Sequence, residues 1–134
     1  MKDAAELGRG LLRKAKSDRV AMEAALAAGS LDAACFHAQQ TTEKCLKAFL
    51  AYRGAAFPYT HNLTKLVEIS AGIDPTFRPL LTAVTSLTPY AVELRYDDSF
   101  WPTQQVAEEA RTSALAVMEF VLERLPEHVS VAGR

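Results

Sequence analysis

The 134-residue sequence holds only two cysteines, six glycines and six prolines, and each scarcity excludes something. Cys35 and Cys45, if one helix carries both, lie about 15 Å apart along its axis, so no disulfide within the chain is expected and a reducing cytoplasm suits it. Few glycines and prolines against 23 alanines and 16 leucines leave the helix as the dominant element. No charge of one sign is in excess: the formal net charge is -1, which demands no nucleic-acid partner. No apolar run reaches the roughly 18 residues of a membrane span; Leu80 to Val92 is free of charge but short, and contains Pro89. Met1 to Glu6 lacks the charged-then-apolar order of a secretory leader. A glycine-rich phosphate loop, a Cys-x-x-Cys pair and a His-Glu-x-x-His pair are also missing, and Cys35 and His37 fall on different helix faces. No metal or cofactor is therefore expected.

What is present is an apolar fraction of 49%, enough for the core of one domain and too high for disorder. Apolar spacing divides the chain into helices. Leu7, Leu11, Ala15, Met22 and Leu26 recur in steps of four and seven, which predicts a first helix from Ala4 to Ala28, ended by Gly29. Ser30 is placed to cap a second helix, Leu31 to Arg53, closed by a left-handed Gly54. A short third helix carries Leu63, Leu66 and Val67. A fourth carries Leu80, Leu81, Val84, Leu87 and Ala91, with a kink or restart expected at Pro89. The fifth begins after Thr103 and packs through Val106, Ala110, Ala114, Val117, Val121 and Leu125. The expectation is an all-α, up-and-down antiparallel bundle of four long helices and one short one, a single domain with its core at 4–125 and a flexible tail at 126–134.

The second helix is the most informative. On a wheel of 100° per residue its apolar arc holds Leu31, Ala34, Cys35, Ala38, Thr42, Cys45, Leu46, Phe49 and Tyr52. The opposite arc holds His37, Gln40, Glu43, Lys44 and Lys47, which read as a solvated face with Glu43 and Lys47 as an i,i+4 pair. Phe36 sits in the middle of that polar arc and needs a cover, from a dimer partner or from a neighbouring helix.

The stretch Ala34-Cys35-Phe36-His37-Ala38-Gln39-Gln40-Thr41-Thr42-Glu43-Lys44-Cys45-Leu46-Lys47-Ala48-Phe49-Leu50 resembles the signature second helix of HEPN domains, helical modules named for nucleotide binding in higher eukaryotes and prokaryotes. His61-Asn62-Leu63-Thr64-Lys65-Leu66 resembles the family's His-x-Leu-x-x-Leu segment, and Leu94-Arg95-Tyr96 its Arg-Tyr motif. Order and spacing agree from about Ala4 to Leu125. The resemblance implies one of two activities. Many HEPN domains are metal-independent ribonucleases, some of them toxins of toxin-antitoxin pairs, whose Arg, four to six residues and a His meet a second copy in a dimer cleft. Others accompany minimal nucleotidyltransferases or bind nucleotides. This chain departs from the ribonuclease motif: the required positions after Arg95 are Phe100, Trp101 and Pro102, while Arg53 and His61 have seven residues between them and Arg124 and His128 three. The expectation is a cytoplasmic, homodimeric, non-catalytic module that binds a nucleotide or a partner such as a minimal nucleotidyltransferase. The alternative is a ribonuclease with a rearranged site of Arg95 and His61 across the dimer.

The nucleotide-binding candidates under this resemblance are Arg95, Tyr96, His61, Lys44 and Lys47. Each has a plainer reading. Arg95 continues the stripe Val84, Leu87, Ala91 and so leans toward the bundle or a cleft, where it pairs with Asp97, Asp98 or another carboxylate, or takes a phosphate on its planar fork. His61 either caps or bonds within the interior, or serves as a ligand. His37 reads as exposed. Arg9, Arg13, Lys16 and Arg19 form a basic stripe on the first helix, diluted by Glu6, Asp18 and Glu23: a solvated face, or a track for a phosphate backbone. Tyr90, Tyr96, Phe100 and Trp101 gather beside Arg95 as core or as a surface on which a base stacks.

Overall fold

A computed structural model describes all residues, Met1–Arg134, and contains helices and turns with no strand. The α-helices are α1 (Ala4–Ala28), α2 (Leu31–Tyr52), α3 (Leu63–Ile73), α4 (Leu80–Thr85), α5 (Gln104–Glu123) and α6 (Glu127–Ser130). Short 3-10 turns occupy Pro75–Phe77, Thr88–Tyr90 and Val131–Gly133. No helix is long and apolar enough to cross a membrane.

Helix ends follow local chemistry. The Asp3 carboxylate accepts from the Glu6 N–H at 2.8 Å, Asn62 from Lys65 at 3.2 Å, and the Thr103 hydroxyl from Val106 at 3.2 Å, so each satisfies an orphan donor of a first turn. Gly29 at φ 79° reverses the chain after α1, and only two residues separate α1 from α2, which forces the pair antiparallel. These two helices share the most extensive packing in the molecule, and α5 lies against α2 on another side. Hence α2 is central, with 12 of its 22 residues buried.

The core is continuous. Leu12, Ala15 and Met22 of α1 meet Cys35, Ala38, Cys45, Leu46 and Phe49 of α2 and Ala114, Val117 and Val121 of α5. Phe77 closes it, with ring centroids 4.4 Å from Phe49 and 4.9 Å from Phe120. Both cysteines are free and fully buried, and burial pushes the Cys35 thiol up to about 11 and the Cys45 thiol to about 12.

Three expectations are corrected in detail. The stripe on α1 departs at its start: Leu7 is 46% exposed and Gly8 is buried beside it, where a Cβ would meet Tyr52 and Val129 at 3.4 Å, while Ala15 and Met22 are buried and Leu11 and Leu26 pack against the core as expected. The fourth helix is not long. It stops at Thr85, before Pro89, and the chain continues through three-residue bonds, Leu87 N–H to the Val84 carbonyl at 3.0 Å and Tyr90 N–H to that of Leu87 at 3.1 Å. Val84, Leu87 and Ala91 still face the core. Residues 126–134 are no flexible tail: Val129 is fully buried, and Gly133 is wedged so tightly that a Cβ there would lie 2.9 Å from Leu122 and 3.4 Å from Leu12.

Candidate functional site

The broken helix after Thr85 is what builds a cleft. Since Pro89 prevents a regular helix, Tyr90 to Phe100 folds back in successive turns, the Leu94 N–H bonding to the Pro89 carbonyl at 3.0 Å. Opposite stand Asp32, Ala33, Phe36 and His37, successive positions on one face of the first turns of α2. Together with Tyr90, Leu94, Arg95 and Phe100 they enclose about 290 Å³.

Aromatic rings form its walls. Tyr90 and Phe100 stack at 5.6 Å with their planes 28° apart, and burial raises the Tyr90 phenol above its ordinary value. Phe36 receives its cover here. The Arg95 guanidinium carbon lies 4.1 Å from its ring centroid and 5.5 Å from that of Tyr96, a cation held over two π-faces. The cover thus comes from within the chain, and Phe36 no longer requires a second subunit.

Arg95 leans to the cleft, as its stripe suggested, yet pairs with neither Asp97 nor Asp98 and takes part in none of the ion pairs. Asp97 is engaged by Ser99, whose hydroxyl donates at 2.6 Å and whose N–H donates at 2.9 Å; these bonds, the hydroxyl's first, hold its carboxyl below the usual carboxylate range. The Asp98 carbonyl accepts from the Trp101 indole at 2.9 Å. Tyr96 is 79% exposed beside Arg95.

His37 also lines the cleft, where the exposed reading had left it in solvent. Its Nδ1 is 2.9 Å from Oδ1 of Asp18, a carboxylate of α1 that is nearly buried and is also bonded by Lys44. A carboxylate accepts only from a protonated Nδ1, so in the neutral ring Nε2 carries the free lone pair. Sequence reasoning missed Asp18. A signal existed: residue 18 falls three after Ala15 and four before Met22, an apolar-stripe position filled by a carboxylate.

The second half of α2 carries a separate polar cluster. Glu43 is 4% exposed and accepts from Lys47 at 3.1 Å and Gln39 at 3.0 Å, with Nδ1 of His61 at 2.8 Å. The i,i+4 pair therefore exists, but as part of a buried network rather than on a solvated face. The segment after Gly54 covers it: Gln39 also donates to the His61 carbonyl at 3.2 Å, and Lys47 lies 5.4 Å from the Tyr59 ring centroid. His61 bonds inward, while the capping role belongs to Asn62.

The candidates thus fall into two groups. Arg95 and Tyr96 belong to the cleft, whereas His61 and Lys47 belong to the Glu43 cluster, seven residues or roughly 10 Å further along α2 than Phe36. One chain does not bring Arg95 and His61 together; the histidine beside Arg95 is His37. Lys44 and Lys47 spend their charge on Asp18 and Glu43. On α1, Arg13 and Lys16 point outward, but Arg19 turns in toward the Met118 sulfur at 3.7 Å and the Arg134 carbonyl at 3.4 Å, which removes it from the basic stripe.

Comparison with known proteins gives one match. A family model described as HEPN domain covers residues 9–125 of the 134, from the first turns of α1 to just past α5. No curated protein and no solved structure matches the chain.

Proposed function

The chain belongs to the HEPN domain family, and from that membership together with the cleft we propose that it is a non-catalytic module that binds a nucleotide between α2 and the Tyr90 to Phe100 segment. One observation carries this reading: a guanidinium without a carboxylate partner, its central carbon 4.1 Å from the Phe36 ring centroid, at the mouth of a cleft walled by stacked rings. A base has π-faces to stack on, and a phosphate finds a planar fork with no carboxylate competing for it. At about 290 Å³ the cleft is at the small end of ligand sites, room for a base and little more. The surrounding charge refines the expectation. Asp32 lines the cleft, and Glu93, Asp97 and Asp98 flank Arg95 in sequence, so one phosphate is accepted and a second or third is repelled.

Titration calorimetry with AMP, ADP and ATP tests the proposal. AMP should bind most tightly of the three, and Arg95→Ala should weaken it about tenfold, the equivalent of about 1.4 kcal/mol for a lost charged hydrogen bond. Absence of binding by all three nucleotides, or a variant that binds like the wild type, would refute it.

A metal-independent ribonuclease is the second reading, favoured by the Asp18–His37 pair at the same cleft. There Nε2 of His37 would take a 2′-hydroxyl proton while Arg95 offsets charge on the phosphate. RNA cleavage abolished in both His37→Ala and Arg95→Ala favours this reading over simple binding; RNA left intact by the wild type retires it.

A further inference from the structure

Glu43 divides its carboxylate between two partners, and that division holds an imidazole ready at the surface. Oε2 takes the Lys47 ammonium at 3.1 Å, and Oε1 takes Nδ1 of His61 at 2.8 Å. A carboxylate accepts only from a protonated Nδ1, so in the neutral ring the lone pair lies on Nε2. The Glu43 side chain is 6% exposed, whereas that of His61 is 42% exposed. One edge of the ring is thus held from within, while the other, with Nε2, bonds to no group of the protein and faces solvent.

The surroundings favour an anionic electrophile at Nε2. The Lys47 ammonium offsets the charge of Glu43 and shares its carboxylate with the ring, so an anion that approaches is not turned away. His61 also immediately precedes Asn62, the cap of α3, and the Thr64 N–H in the first turn of that 11-residue helix has no acceptor within the chain. A free N–H at a positive helix end suits phosphoryl oxygens. Tyr59 stands 6.1 Å from the His61 ring between centroids, but it is 95% exposed and does not close over it.

We propose that Nε2 of His61 is a phosphoryl acceptor, modified by donors of the phosphoramidate class. The Nε2 lone pair forms the new bond to phosphorus; the P–N bond of the donor breaks, and its electron pair leaves with the amine. Nε2 carries no proton, so none has to be removed. The positive charge that the ring gains is shared with Nδ1–H, beside Glu43. The carboxylate fixes the tautomer and stabilises the charged imidazole, the two services that a buried aspartate gives the histidine of a hydrolytic triad. His61 stands apart from the nucleotide cleft, and the proposal is independent of what that cleft binds.

The other two histidines supply the comparison. His128 is exposed and takes part in none of the ion pairs. His37 has Asp18 on its Nδ1, but its side chain is 29% exposed and meets the Phe36 ring at 5.1 Å inside the cleft.

Incubation of the folded protein with potassium phosphoramidate at neutral pH, followed by site-resolved mass spectrometry and phosphorus NMR, tests the proposal. An acid-labile, alkali-stable phosphoryl group should form on Nε2 of His61 about tenfold faster than on His128 or His37. Glu43→Gln should slow His61 about tenfold. Lys47→Gln, which leaves the ring oriented, should slow it about threefold. Labelling of His128 should be unchanged in both variants, with circular dichroism to verify that each is folded. In enough urea to unfold the wild type, the three histidines should react alike, which separates the folded site from the residue type. Equal rates at His61 and His128 in the folded protein overturn the proposal. So do faster labelling of His37, transfer to Nδ1 of His61, or Glu43→Gln and Lys47→Gln variants that react like the wild type.

Discussion

Replacing Glu43 by alanine removes the carboxylate that three donors share, and the cost can be worked from what each donor loses. His61 keeps 42% of its side chain in water and recovers solvent, so its share is small. Gln39 is fully buried but retains the His61 carbonyl at 3.2 Å, which limits its share to about 0.5 kcal/mol. Lys47 is the main loser: its side chain is only 11% exposed, and an ammonium left there without an acceptor costs about 1–2 kcal/mol. Loss of the one buried methylene, Cγ, adds about 1 kcal/mol. The total is about 3 kcal/mol, or a fall of about 10 °C in Tm for a domain of this size. Glu43→Gln keeps the volume and one carbonyl acceptor, and should cost about 1 kcal/mol. The control is Glu119→Ala, whose partner Arg134 at 3.5 Å is half exposed, as is Glu119 itself; about 0.5 kcal/mol or less is expected. Urea unfolding followed by helical circular dichroism at neutral pH reads all three. Should Glu43→Ala unfold at the same urea concentration as Glu119→Ala, the buried network contributes nothing and the reasoning fails.

Two glycines should respond in opposite directions. Gly133→Val forces a branched side chain against Leu122 and Leu12 and should cost about 1–3 kcal/mol, whereas Gly10→Ala, inside α1 with nothing within 4 Å, should gain about 0.5–1 kcal/mol; a Gly133→Val melt that does not fall would contradict the docking of the last residues. Both thiols should resist a disulfide reagent at pH 8 in the folded protein and react once denaturant is added, because burial holds them protonated and out of reach. Rapid labelling of the native protein would show that α2 is less covered than described. Phe36→Ala removes the ring beneath Arg95 and should weaken AMP binding about 2–5-fold, the worth of an exposed cation–π contact; unaltered affinity would mean that the ring does not orient the guanidinium.

Helix identity was legible wherever spacing and end chemistry agreed. The Gly29 reversal, the start after Thr103, the buried face of α5 and the apolar arc of α2 from Ala34 to Phe49 follow from the sequence. Apolar periodicity reports which side chains face the core, however, and is blind to how the backbone is bonded. Val84 and Leu87 are three apart, a step that an α-helix and a 3-10 turn share, so the stripe was right where the helix was not. Glu43 was misread for another reason: a wheel assigns one buried side, while α2 is covered by α1, by α5 and by the segment before α3. Residues 126–134 offered no period at all, only Val129 and a glycine that fits where a side chain would not. The cleft depends on Tyr90 to Phe100 folding back upon α2, a long-range event for which the cluster of aromatics beside Arg95 was the sole trace.

The two-residue link between α1 and α2 has a bearing on how the molecule is made. Closing so short a connection costs little chain entropy, and the paired helices, spanning Ala4–Tyr52, already hold Leu12, Met22, Cys45 and Leu46 of the final core. Folding is therefore expected to start in this hairpin, with α5 joining later across half the chain. Core truncations in α1 and α2 should then slow folding, while truncations in α5 should mainly hasten unfolding, a division that φ-values would record as high in the hairpin and low beyond it.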